Sequence, residues 1–154
     1  MNPRKEAESI TSYIDRNPIA TLGTINADGT PHGAIVYVCT DGHEKRTIYF
    51  LTKTETTKFR NLTSDNHVSV TITNPDENST LQANGTTFEV ESPRLLEAIM
   101  VKLIKQHVHA KDWLPPLTKV RGGAYIMIGV TLKEARLALF DDKSIGDAHL
   151  FTQL

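Results

Sequence analysis

Six short segments rich in β-forming residues constrain the fold of this chain more than any other feature of its sequence. They cover residues 19–26, 31–40, 46–52, 67–73, 80–91 and 124–132. The turn ADGT at residues 27–30 predicts a hairpin between the first two segments, and Asp41-Gly42 opens the next turn. Strands joined mainly by hairpins predict an antiparallel sheet that closes toward a barrel. A mainly β fold is therefore expected.

Three helical segments are predicted beside these strands, where they would fill the ends of the barrel. They cover residues 3–16, 54–64 and 92–108. The first ends at Asn17-Pro18, because a residue before proline disfavours the helical backbone conformation. The last is the clearest, since Ser92 caps it and Pro93 suits its first turn. In the fifth strand, Gly85 predicts a bend or a bulge.

Length and composition predict one domain over residues 1–154. Hydrophobic residues make up 39% of the chain, which is enough for one buried core. The 17 basic and 18 acidic residues nearly cancel, so the basic surface that nucleic-acid binding needs is not expected. No segment resembles a signal peptide or the roughly 20 apolar residues of a membrane helix. These observations predict a cytoplasmic protein with neither nucleic-acid nor membrane partners.

The segment TKTETTK, at residues 52–58, places hydroxyl groups and lysines where the third strand meets the second helix. A helix N-terminus has unpaired backbone N–H groups and a partial positive charge, so anions bind there readily. Four side chains could contact such an anion: Thr52, Thr56, Thr57 and Lys58. One interpretation is a phosphate site at the mouth of the barrel. The other is that Thr52 or Thr54 only caps the helix, with Lys58 solvated.

The order of motifs along the chain resembles the FMN-binding split-barrel proteins related to pyridoxamine 5′-phosphate oxidase. Pro31 follows the first hairpin turn, and the third strand ends in Phe50-Leu51-Thr52. Lys58 comes six residues after that threonine, followed by Asn61-Leu62 and the strand at Val68–Ile72. The resemblance implies a six-stranded antiparallel Greek-key split barrel with peripheral helices. It also implies a homodimer that binds FMN in two grooves at the subunit interface.

Carried over residue by residue, the resemblance implies a set of cofactor contacts. The phosphate would be held by Thr56, Thr57 and Lys58. The ribityl chain and phosphate would be followed by Thr52 and Lys53. The flavin ring would be contacted by Ala34, Ile35 and Val36, partly through backbone groups. Gln82 would reach the polar edge of the ring, and Trp113, in a predicted polar loop at residues 109–121, would cover the flavin from the partner subunit.

The sequence departs from the oxidase itself at three places. Ala34 stands where the oxidase has an arginine, and Cys39 stands where it has a lysine. The substrate motif Trp-x₅-Arg has no counterpart in the final segment KSIGDAHLFTQL. We therefore expect a phosphate site that depends on Lys58 and the threonines, in a protein that is not a vitamin B6 oxidase.

The resemblance implies an FMN-dependent oxidoreductase acting on a small molecule, with the chemistry carried by the cofactor and no catalytic residue assigned. One alternative is a flavin-binding or carrier protein without catalysis. Another is a related split barrel that binds haem or a deazaflavin. Haem would need an axial ligand, for which the candidates are His32, His67 and His149. A deazaflavin would usually come with more cations for its longer acidic tail.

No metal site is predicted from the remaining histidines and the cysteine. His107 and His109 are two positions apart, so on a helix they point to different faces, and no third ligand is near in sequence. His32 has two interpretations, a donor to the flavin or substrate and a surface histidine at a strand end. Cys39, the only cysteine, is interpreted as a small buried hydrophobe.

Overall fold

The computed structural model describes residues 3–42, 46–107, 122–139 and 149–151. Over these ranges the chain forms three helices: α1 (Pro3–Arg16), α2 (Thr57–Ser64) and α3 (Pro93–His107). It also forms seven strands: β1 (Ile19–Ile25), β2 (Pro31–Cys39), β3 (Thr47–Lys53), β4 (His67–Asn74), β5 (Ser79–Glu89), β6 (Tyr125–Leu139) and β7 (His149–Phe151). The predicted loop around Trp113 lies outside the described residues. None of the described helices is long and apolar enough to cross a membrane.

The first six strands form a closed antiparallel barrel. Their order in the sheet is β3-β2-β1-β4-β5-β6, and β6 also pairs with β3, which closes the ring. β7 adds three residues to the far end of β6. The predicted mainly β, six-stranded antiparallel barrel with peripheral helices is confirmed.

Strand β6 is longer than predicted, since it spans Tyr125–Leu139 and not residues 124–132. Lys133 and Glu134 follow its apolar run, and charged residues of this kind are depleted in strands. Both side chains are exposed, and the strand continues because Ala135 and Leu137 return to the barrel interior. Pairing with β5 therefore extends to the end of β6.

The predicted irregularity at Gly85 is confirmed as a break in the register between β5 and β6. Asn84 pairs with Glu134 and Gly85 with Leu132, so Lys133 has no partner on β5. A Cβ atom at Gly85 would lie 2.1 Å from the backbone oxygen of Thr131. Only glycine allows the two strands to approach this closely.

Two apolar clusters hold the helices to the barrel. Inside the ring, side chains from the strands pack against Ile10, Tyr13 and Ile14 of α1, which plugs one end. Outside the ring, Ile99 and Leu103 of α3 cover a second set: Cys39, Tyr49, Val90 and Met127. Burial raises the pKa of the Cys39 thiol to about 12, so it stays a thiol at neutral pH, as the sequence interpretation expected.

Candidate functional site

Strands β2 and β3 separate from each other on one side of the barrel. They pair at only two positions, Val38 with Phe50 and Cys39 with Tyr49. On its other edge β3 stays paired with β6 as far as Lys53. The separation therefore leaves a gap between the first part of β2 and the end of β3. Because β3 leads directly into α2, this gap lies beside the start of that helix.

Backbone groups of β2 line the gap. The N–H group of Val38 donates to a carbonyl oxygen just before β1 at 2.8 Å, so Val38 faces β1. The backbone N–H and C=O groups of successive residues point to opposite edges of a strand. Those of Gly33 and Ile35 therefore point away from β1 and toward the gap. The Ile35 side chain is 48% exposed on the outer face, whereas Val36 is buried and Ala34 is half-buried on the inner face. Of the three positions predicted to contact a flavin ring, only Ile35 thus presents its backbone groups to the gap, whereas those of Ala34 and Val36 point toward β1.

Two of the predicted threonines build the turn between β3 and α2. The hydroxyl of Thr56 donates to the Lys53 carbonyl at 2.8 Å and accepts from the Phe59 N–H at 3.3 Å. Thr56 is therefore the N-cap, in place of Thr52 or Thr54, and the helix begins at Thr57 and not at residue 54. The Thr52 hydroxyl lies 3.1 Å from that of Thr56 and must donate to it, since the Thr56 proton is already used. Neither hydroxyl offers a free proton to a ligand.

Lys58 is the unusual residue of this turn. Its side chain is only 8% exposed, so the interpretation of a solvated lysine is wrong. Burial lowers the pKa of Lys58, and no other cause contributes to that shift. No hydrogen bond or ion pair joins its ammonium group to any residue that the structure describes. The ammonium group has lost part of its water and gains no partner among the described residues in exchange, which disfavours its charged form.

Thr57 completes the donor set beside Lys58. Its side chain is exposed, and the backbone N–H groups of Thr57 and Lys58 have no partner within the described part of the chain. One ammonium group, one hydroxyl and two N–H groups at the start of a helix suit a small dianion such as a phosphate monoester. The turn is thus chemically fitted to hold a phosphate.

Asn61 fixes α2 to the barrel and so positions Lys58. Its side chain is 7% exposed, and its amide nitrogen donates to Thr24 Oγ1 at 3.0 Å and to Asn26 Oδ1 at 2.9 Å. Thr24 ends the inner face of β1 and is itself buried. Sequence reasoning used Asn61 only as part of a motif and assigned it no role. Its spacing of three residues from Lys58 on the predicted helix, which puts the two side chains on one face, was the available signal.

We expect Asn61→Ala to lower the free energy of unfolding by about 1–3 kcal/mol, because it removes two hydrogen bonds and leaves the buried Thr24 hydroxyl unpaired. Urea unfolding of the two proteins would measure the loss. Asn84→Ala is the matched control, since Asn84 is exposed and bonds only to Glu134 at 3.3 Å. Equal stabilities of Asn61→Ala and Asn84→Ala would contradict the positioning role.

Two other predicted contacts, Lys53 and Gln82, lie elsewhere. Lys53 is on the opposite face of β3 from Thr52, where its ammonium group stacks 4.6 Å from the ring centroid of Tyr125. Gln82 is exposed on β5, a strand adjacent to neither β2 nor β3. Trp113 lies outside the described residues. Within one chain, neither Gln82 nor Lys53 shares the inner face of the turn with Lys58.

The histidines proposed as haem ligands do not converge in the described residues. His67 is exposed at the start of β4, with Nδ1 2.7 Å from Oδ1 of Asp65. His32 is half-buried on β2, and the side chain of His149 lies outside what the structure describes. No group of three or more His, Cys, Asp or Glu side chains that could hold a metal ion occurs among the described residues.

A closed six-stranded barrel with two strands parted beside a helix start is a β split barrel with flanking helices. Residues 7–137 match the family model described as pyridoxamine 5′-phosphate oxidase. The chain belongs to this family, as its sequence motifs suggested. Among curated proteins, none matches the sequence.

Solved structures share the fold at low sequence identity. A Clostridium acetobutylicum protein related to general stress protein 26, of the pyridoxinephosphate oxidase family, is 14% identical, with a TM-score of 0.64 over 99% of this chain and 96% of that chain. An F420 reductase is 22% identical, with a TM-score of 0.62 over 80% of this chain and 93% of that chain. PhzG from Burkholderia lata 383, in complex with tetrahydrophenazine-1-carboxylic acid, is 14% identical, with a TM-score of 0.62 over 99% and 92% of the respective chains.

Proposed function

We propose that this protein is an FMN-dependent oxidoreductase that acts on a small-molecule substrate. The observation that carries the proposal is Lys58, a largely buried lysine at the start of α2 whose ammonium group has no partner among the described residues. A phosphate monoester there would supply the missing counter-charge, and the adjoining gap would take the rest of the cofactor. When bound, FMN supplies a ring that accepts a hydride, while the protein supplies position and electrostatics.

The cofactor would lie along the gap from α2 toward β2. The phosphate would be bound by Lys58, the Thr57 hydroxyl and the first N–H groups of the helix. Thr52 and Thr56 would act indirectly, because their hydrogen bonds hold the turn in shape. The ring would lie against three residues of β2: Ala34, Ile35 and Val36. Ile35 would contribute its outward backbone groups, which β3 leaves unpaired.

The outer surface next to the gap is suited to form the interface of a homodimer, with the cofactor at that interface. Ile19 and Ile35 are 52% and 48% exposed on the outer face of β1 and β2. Apolar side chains of this size on a sheet face are favourable to bury against another protein. In such a dimer, Lys53, Gln82 and Trp113 would contact the cofactor from the outer side or from the partner subunit.

A vitamin B6 oxidase activity is not proposed. The inner face of β2 carries the half-buried Ala34, which has no charge to offer a phosphate. Cys39 is fully buried under α3 and contributes nothing to the gap. The substrate pocket is therefore expected to differ from that of the oxidase.

Titration of the purified protein with FMN, followed by anaerobic addition of NADH or NADPH, tests this function. We expect saturable quenching of flavin fluorescence and then bleaching of the flavin absorption band. Riboflavin, which lacks the phosphate, should bind more weakly by about tenfold or more, the size of one charge-assisted contact. FMN uptake without reduction by any donor would instead identify a carrier, and no uptake would refute both.

A deazaflavin cofactor is the second candidate, favoured by the shared fold with an F420 reductase. The described turn offers one buried unpaired cation, which suits a single phosphate better than a long acidic tail. Tighter binding of the deazaflavin than of FMN in the same titration would favour the deazaflavin as the cofactor.

A further inference from the structure

His32 lies on the inner face of β2, at the mouth of the gap. The inner-face positions of this strand are more buried than their neighbours, and they include His32, Ala34 and Val36. In the register of the β1–β2 hairpin His32 is directly opposite Thr24, which is 2% exposed. Side chains directly opposite in an antiparallel pair have Cβ atoms about 5 Å apart. The half-buried His32 side chain therefore starts beside that of Thr24 on the inner face of the hairpin.

Thr24 connects this histidine to the phosphate turn. Its hydroxyl accepts the hydrogen bond from Asn61 at 3.0 Å. Asn61 follows Lys58 by three residues, so the two side chains share a face of α2, one turn apart. His32 and Lys58 thus flank the same side of the barrel mouth, separated by the Thr24–Asn61 pair. No hydrogen bond or ion pair engages the His32 ring among the residues that the structure describes.

We propose that His32 is a further phosphate-binding side chain of this site, an inference that rests on the proposed function. His32 precedes Ala34 by two positions on the same face of β2, and its side chain is longer than that of alanine. An imidazole has an N–H donor in either neutral tautomer and two donors with a positive charge when protonated. His32 would then add a donor group to Lys58, the Thr57 hydroxyl and the first N–H groups of α2.

A comparison of two ligands separates phosphate contact from ring contact. FMN and riboflavin share the ring and differ in the phosphate, so dissociation constants for both are measured with wild type, His32→Ala and His32→Asn. We expect His32→Ala to weaken FMN about tenfold and to change riboflavin by less than about twofold, since one charge-assisted contact is lost. The FMN affinity of His32→Asn should fall between those of wild type and His32→Ala, because asparagine retains an N–H donor.

The control is His67→Ala, because His67 is an exposed histidine at the start of β4 that pairs with Asp65. Its affinities for FMN and riboflavin should equal those of wild type. Equal weakening of both ligands in His32→Ala would place the imidazole at the ring, and unchanged FMN affinity would remove His32 from the site; either result overturns the proposal. Failure of wild type to bind FMN would instead overturn the proposed function.

Discussion

Replacing Lys58 by methionine is expected to abolish tight FMN binding while making the ligand-free protein more stable. The loss of affinity should be about 10- to 100-fold, because a charge-assisted contact to phosphate contributes about 1.5–3 kcal/mol. The gain in the free energy of unfolding should be about 1 kcal/mol, the lower end of the cost of an unsatisfied buried polar group, because burial removes only part of the water from the Lys58 ammonium group. Methionine keeps most of the side-chain volume and removes the charge.

The pH dependence of stability provides an independent check on the same substitution. Burial lowers the pKa of Lys58 below its ordinary value of 10.5. At pH values between the lowered and the ordinary pKa, the unfolded chain binds more protons at Lys58 than the folded chain does. The free energy of unfolding therefore rises with pH in this range. The destabilisation caused by burying the charged Lys58 is fully present below its lowered pKa. It disappears as pH approaches the ordinary pKa of lysine. The stability difference between Lys58→Met and wild type should therefore shrink as pH rises from neutral toward that value.

Urea unfolding without ligand, repeated with saturating FMN, measures both effects. Wild type should gain more stability from FMN than Lys58→Met, since only tight binding shifts the folding equilibrium strongly at a given concentration. Lys105→Met is the control, because Lys105 is exposed on α3. A ligand-free Lys58→Met protein that is less stable than wild type, with FMN affinity retained, would mean that Lys58 has a structural role.

Gly85→Ala is expected to have the largest effect on folding itself. The added Cβ atom would lie 2.1 Å from the Thr131 oxygen, 2.9 Å from its carbonyl carbon and 3.1 Å from Leu132 Cα. All three atoms belong to the backbone of β6, so no side-chain rotation can relieve the contact. We expect the free energy of unfolding to fall by about 2–4 kcal/mol, the upper range of overpacking effects.

Gly33→Ala provides the matched control for this substitution. Gly33 is also in a strand, but the nearest atom to an added Cβ would be Thr21 Cγ2 at 3.9 Å. Its stability should change by less than about 0.5 kcal/mol, as for most exposed substitutions. If both variants unfold at the same urea concentration, the close approach of β5 and β6 at Gly85 does not matter for the closed barrel.

The barrel was largely predictable because its strands alternate in burial and its hairpins carry Asp-Gly turns. β4 alternates between exposed and buried positions along almost its whole length. The prediction was wrong at the end of β6, where Lys133 and Glu134 break the apolar pattern at a register shift. A bulge allows exposed charges inside a strand, and its location depends on the partner strand as well as on local composition.

The contacts of the candidate site remain predictions, and the structure places Lys53 and Gln82 away from the turn that carries Lys58. The motif placed Lys58 and the threonines at one turn, yet local pattern could not tell which threonine caps the helix. The burial of Lys58 could not be predicted from composition, because it depends on how α2 packs against the barrel. Asn61 and Thr24 are 37 residues apart in sequence, so only the folded chain reveals that this pair positions the lysine.

A crystal structure of the protein grown with FMN tests the central claim most directly. The account predicts a phosphate oxygen within about 3 Å of the Lys58 ammonium group, at the start of α2, with the ring in the gap beside β2. FMN bound elsewhere on the barrel, with Lys58 still buried and unpaired, would contradict it.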